Sequence, residues 1–165
     1  MKTAHLIRDA LEALKVGDAL FKVGNFEGAV DNYCKALRLS QSLPTEMPDF
    51  DRASFEAACN AGLSAAYGQV GKHLESFAAA NKALLFYDKC GENYPDQTGR
   101  WLKSIVNQGV ALAHLGVFGE ALNSFQRAKE MFLSRSLDTP ENRQWVAVVD
   151  ENIAALKAHL EKTQR

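Results

Sequence analysis

Proline is scarce in this chain of 165 residues, with four in all. Cysteine is scarcer still, and no stretch is apolar for long. The three cysteines, Cys34, Cys59 and Cys90, are an odd number with no C-x-x-C pair, which excludes a disulfide framework and a paired-cysteine metal or redox motif. Isolated thiols in helical sequence act as small buried apolar residues of a reducing compartment. Cys90 follows Lys89 but precedes Gly91, the wrong helix end for an activated thiolate. An excess of basic charge is also missing. Nineteen Lys and Arg stand against twenty Asp and Glu, a formal charge of −1. General nucleic-acid binding and polybasic membrane docking both need the positive surface that this balance withholds. No window reaches the about 18 apolar residues of a spanning helix. Charge at Lys2, Arg8 and Asp9 interrupts any leader-like apolar run, so the chain reads as cytoplasmic.

Long Ala- and Leu-rich stretches fill the space left by the missing prolines, and they repeat. VGDALFKVGNFEGAVDNYCKAL from Val16, LSAAYGQVGKHLESFAAANKAL from Leu63 and QGVALAHLGVFGEALNSFQRAK from Gln108 align without gaps. Gly24, Gly71 and Gly116 form one column; Ala29, Ser76 and Ala121 a second; Ala36, Ala83 and Ala128 a third. Every column steps by 47 and then 45 residues. Within a unit the pattern predicts helix, tight turn, helix. Gly24 can take a positive φ and end the first helix, and Asn25 can cap the second. Gly17 and Ala29 are small where paired helices approach, while Leu20, Phe26 and Tyr33 supply bulk. The third unit repeats this with Gly109, Ala121, Leu112, Phe118 and Phe125. The second unit is a less faithful copy, with Ser64, Ser76, Tyr67, His73 and Ala80.

Small, aromatic, small and aromatic residues over a helical hairpin, at Gly17, Leu20, Ala29, Tyr33 and Ala36 and again at Gly109, Leu112, Ala121, Phe125 and Ala128, resemble the tetratricopeptide-repeat (TPR) family. The likeness spans roughly residues 10 to 135. The chain is also similar to small bacterial stand-alone TPR-like proteins without assigned activity. Two departures stand out: the family repeat is about 34 residues, so each unit here carries about 11 to 13 extra, and the proline that usually ends a unit is absent. The extra residues fall in Ser40 to Asp51 and Lys89 to Gly99, where Pro44, Pro48, Gly91 and Pro95 interrupt helices. Long helices and large links between repeats are expected.

After the third unit, Thr139 as N-cap with Pro140 at the first helical position starts another helix. Trp145, Val149, Ile153, Leu156 and Leu160 give it one apolar stripe, suited to covering the last hairpin. The expected fold is all-α: a right-handed stack of three hairpins and a capping helix, seven helices in one domain. The hairpins are placed at about 3–41, 52–90 and 97–134, and the cap at about 139–163.

Nothing in the sequence assembles a catalytic or metal constellation. His5, His73, His114 and His159 are scattered, no GxxxxGK[ST] loop occurs, and no nucleophile has an evident base, so neither an enzyme nor a cofactor is expected. His73 shares a column with Phe26 and Phe118, which suggests packing, and His114 suits a helix C-terminus. Trp101 reads as core.

The resemblance implies a concave groove lined by the first helix of each hairpin. It projects onto Leu11, Leu14, Lys15, Asp18, Phe21 and Lys22, then Ala58, Ala61, Gly62, Ala65, Gly68 and Gln69, then Lys103, Val106, Asn107, Val110, Ala113 and His114. The family's clamp for C-terminal carboxylates uses Lys, Asn and Arg at positions held here by Leu14, Asp18, Gly62, Lys103 and Asn107. Only Lys103 matches, and the Asp18 carboxylate would repel such a ligand. A peptide-binding groove of Lys15, Asp18, Lys22, Ala61, Ala65, Lys103, Asn107, Val110 and His114 remains, small and apolar in the middle with polar ends. It suits an amphipathic helix from a protein partner. Equally, its small residues serve packing between hairpins, or the terminal helix folds into it, or apolar faces close a homodimer. Leu43, Met47 and Phe50 lie in the first link, either tucked beneath it or offered as a contact.

Overall fold

A computed structural model describes residues 2–135 and 139–164. Among the described residues there are seven α-helices and no strand. They are α1 (Lys2–Lys22), α2 (Phe26–Gln41), α3 (Arg52–Gln69), α4 (His73–Cys90), α5 (Thr98–His114), α6 (Phe118–Ser134) and α7 (Pro140–Thr163). The first six pair as three antiparallel hairpins. Successive hairpins stack, and α7 packs on α6 as α3 packs on α2 and α5 on α4.

Each hairpin turns in the same way. Gly24, Gly71 and Gly116 have φ of 82°, 80° and 82°, a region open to glycine at little cost. The next residue's N–H returns to a carbonyl five residues back: Asn25 to Leu20, Lys72 to Tyr67 and Val117 to Leu112, each at 2.9 Å. With the bonds from the glycine N–H groups to carbonyls three residues back, this is a Schellman ending built three times. The Asn25 side chain accepts from the Gly28 N–H at 3.0 Å and caps α2. Lys72 and Val117 supply no side-chain cap to α4 and α6.

The two links between hairpins differ. Residues 42–51 form an irregular loop whose Leu43 is buried and whose Phe50 packs against Phe55, ring centroids 5.2 Å apart. Asp51 ends the loop by capping α3 through the Ser54 N–H at 3.1 Å. The second link is two single turns of 3-10 helix, Gly91–Asn93 and Pro95–Gln97. Gly91 lies under Trp101, and a Cβ there would come within 2.4 Å of the indole. Trp101 is 7% exposed and donates from Nε1 to Asp88 at 3.0 Å, so it belongs to the core.

Thr139 caps α7, accepting from the Asn142 N–H at 3.3 Å. Val149, Ile153 and Leu156 are buried against α6, and Lys129 pairs with Asp150 at 2.8 Å. The terminal helix therefore covers the α6 end of the stack. One large apolar core joins α3 through α7, whereas α1 and α2 are held by two smaller clusters.

Candidate binding cleft

The column that holds Tyr33 in the first hairpin holds Ala80 in the second and Phe125 in the third. Tyr33 sits between α1 and α3. A Cβ added to Gly17 would meet its ring at 2.8 Å, and one added to Gly62 would meet it at 2.4 Å. The ring thus spaces α1 from α3, and those two helices touch over only a short stretch. Ala80 provides no such spacer, and α3 and α5 run together along much of their length. Gly62 was expected on the groove floor; its lack of a side chain is needed as a seat for Tyr33.

A polar relay ties this junction together. The Tyr33 hydroxyl donates to Asp18 Oδ1 at 2.6 Å, and Arg100 Nη2 of α5 reaches past α3 to Asp18 Oδ2 at 2.9 Å. Burial, then the hydrogen bond to Asp18, hold the Tyr33 hydroxyl far above the ordinary tyrosine range. Burial opposes the Arg100 charge, but the Asp18 carboxylate outweighs it and keeps the guanidinium above its usual value. Asp18 was expected to repel an anionic ligand. Its charge is instead matched by an arginine 82 positions away in sequence.

Beside this relay the separated helices leave an open hollow of about 430 Å³. Leu11 and Leu14 of α1 form one wall, and Phe55 and Ala58 of α3 the other, with Phe50 from the first link. Asp51, Ser54, Asp96, Gln97 and Arg100 close one end. That end is braced by hydrogen bonds: Tyr87 to Gln97 at 2.8 Å, Gln97 Nε2 to Ser54 at 2.6 Å, and the Tyr94 hydroxyl to Asp51. Leu11 is 48% exposed and Leu14 is half-buried, whereas Phe55 and Ala58 across from them are buried.

The other expected groove residues do not line this hollow. Lys15 and Lys22 are exposed along α1. Ala61 is buried in the large core, and Ala65 is half-buried. Lys103 lies 6.0 Å over the ring of Trp145, where α5 meets α7. Val110 is half-buried against the large core, and the Asn107 amide nitrogen is buried with no hydrogen-bond partner among the described residues. His114 stacks on His73, rings 3.9 Å apart and nearly parallel. Of the groove residues read from the sequence, Leu11, Leu14 and Ala58 line this hollow and Asp18 lies beside it in the relay, whereas Asp51, Ser54, Phe55, Asp96, Gln97 and Arg100 were not among them. They lie at helix starts and in links, outside the repeated columns.

Cys59 is buried and its thiol is pushed up to about 12, chiefly by burial, which makes it a core residue. Among the described residues no group of three or more His, Cys, Asp or Glu could hold a metal ion. No described helix is long and apolar enough to cross a membrane.

A family model described as Domain of Unknown Function (DUF3856) matches residues 2–145. No curated protein sequence matches the chain. The crystal structure of a TPR-like protein from Chlorobium tepidum TLS is similar at 30% identity, with a TM-score of 0.88 over 95% of this chain and 99% of that one. The C-terminal TPR-containing domain of a Plasmodium falciparum protein named as FK506-binding shares the fold at 17% identity, with a TM-score of 0.68 over 96% of this chain and 93% of that one. The chain belongs to the family described as Domain of Unknown Function (DUF3856), and its fold is TPR-like.

Proposed function

We propose that the chain is a non-catalytic protein-binding module, an adaptor or assembly element, that takes a peptide or amphipathic helix of another protein in its concave groove. The α1–α3 cleft is the centre of that groove. The observation that carries this is the hollow between the exposed Leu11 and half-buried Leu14 on one side and Phe55 and Ala58 on the other, with Tyr33 wedged between the helices and one end braced. Helix-in-groove recognition lays the apolar face of a helix on a preformed apolar strip, with neighbouring polar groups to fix its orientation. Affinity capture from the source cell's lysate with wild type, Leu11→Gln and a control on the outer face, Leu133→Gln, tests it. A partner retained by wild type and the control but lost with Leu11→Gln is expected. Identical partners for all three baits would remove the cleft from the account.

Self-association is the competing reading, and the exposure of Leu85 at 77% and Leu133 at 66% on outer helices favours it. Light scattering across a concentration series separates the two. A dimer dispersed by Leu85→Gln or Leu133→Gln, with no foreign partner captured, would make the protein structural.

A further inference from the structure

Five apolar and five polar residues line the cleft, and its charges are unevenly spent. Among the described residues, Arg100 is the one cation lining it, and Asp18 already holds that guanidinium at 2.9 Å. Asp51 and Asp96 line the same end. Asp51 accepts hydrogen bonds from the Ser54 N–H and the Tyr94 hydroxyl, both neutral donors that leave its negative charge in place. A second hollow adjoins the first, sharing Phe50 and Asp51 and adding Glu46, Met47 and Pro48. Its one lining cation among the described residues, Arg52, lies 3.4 Å from Glu56. Across both hollows each of these cations is in an ion pair, and the carboxylates of Glu46, Asp51 and Asp96 remain.

From this we infer that the partner's docking segment is an amphipathic helix whose apolar face is flanked by Lys or Arg. Its apolar side chains enter between Leu11 and Phe55, and its cations meet Asp51 and Asp96. An acidic segment would bring like charges together at the braced end, which costs binding and rejects that class of partner. This inference rests on the cleft being the docking site, as proposed above.

Two model helices of about 18 residues test it, long enough to form a helix on docking. Both carry Leu on one face, with Lys flanks in one and Glu flanks in the other, and binding is followed by fluorescence anisotropy. The Lys helix is expected to bind about tenfold or more tighter than the Glu helix, with the preference shrinking as salt shortens the reach of the rim charges. In the Asp51→Asn/Asp96→Asn double variant that preference is expected to vanish. Asparagine caps a helix as well as aspartate, so α3 keeps its start, and circular dichroism checks the fold. Asp49→Asn, an exposed loop change outside both hollows, should leave the preference intact.

Equal binding, a preference for Glu, a Lys preference that survives the double variant, or no binding of either helix would each overturn the inference. Leu11→Gln keeps its failure separate from that of the cleft. If the Glu helix wins and Leu11→Gln weakens it, the charge inference falls and the cleft stands. If Leu11→Gln changes nothing while a helix binds, the cleft itself is wrong.

Discussion

The junction between the first and second hairpins and the junction between the second and third are made from the same repeated unit, yet they pack in opposite ways. At the second junction, α3 and α5 lie side by side and share a continuous apolar core with α4, α6 and α7. At the first, Tyr33 enters between α1 and α3, and the contact is divided between two small clusters and the Asp18 relay. Tyr33 against Ala80 in one column accounts for the contrast. Closely packed helices give stiffness, whereas helices held apart leave an apolar wall for something else to cover.

The largest expected effect comes from removing the spacer. Tyr33→Ala should lower stability by about 3–5 kcal/mol, as for other buried aromatic truncations, in urea unfolding followed by circular dichroism. Phe125→Ala should cost a similar amount. The two should differ in what happens to the cleft: loss of Tyr33 lets α1 settle toward α3 and weakens cleft ligands, and loss of Phe125 does not.

Next is Gly62→Ala. Its Cβ would lie 2.4 Å from a ring that Gly17 blocks on the far side. Overpacking costs about 1–3 kcal/mol, offset by about 1 kcal/mol of helix propensity. In the Tyr33→Ala background the clash is gone, and Gly62→Ala should become neutral or stabilising. A double-mutant cycle reads that change of sign.

Alkaline pH should strain the first junction more than the second, where the buried Tyr87 hydroxyl is raised in the same way. The hydroxyls of Tyr33 and Tyr67 and the thiol of Cys59 are all raised, chiefly by burial, with Tyr67 and Cys59 at about 12. A raised folded value means that the fold favours the protonated form. That contribution is complete below the ordinary values of 9.0 for cysteine and 10.0 for tyrosine, and is lost as pH rises from there toward about 12. Urea midpoints should therefore hold to about pH 9 and fall above it. Tyr33→Phe should make the fall shallower.

Smaller still is Asp18→Asn. Arg100 and Asp18 are 32% and 39% exposed, so the ion pair contributes about 1 kcal/mol or less to stability. Cys59 should stay silent to thiol reagents in the native protein and react on unfolding.

Much of the architecture is legible in the order of residues along the chain. Gly24, Gly71 and Gly116 mark the turns because a Schellman ending needs a positive φ, and Thr139-Pro140 marks the start of α7 because cap and first-turn chemistry are local. The cleft is less legible. Alignment of the repeats treats units as equivalent, and it places Gly62, Lys15 and Asn107 in one column with one expected role. Gly62 instead receives a ring from α2, and Lys103 meets Trp145 at the other end of the stack. Arg100 and Asp18 are brought together only by the stacking of three hairpins, which no local spacing encodes. The departure of Tyr33 from Ala80 is visible in the sequence as an unfaithful second copy. Its consequence for helix spacing requires three helices at once.

The most direct measurement is a titration of the Lys-flanked model helix into isotope-labelled protein, read as amide chemical shifts residue by residue. The account predicts perturbations gathered on Leu11, Leu14, Phe50, Phe55, Ala58 and Arg100, with Lys103, Trp145 and the α5–α7 contact unmoved. Shifts centred on Lys103 and Trp145, or spread along the outer helices with the α1–α3 cleft silent, would contradict it.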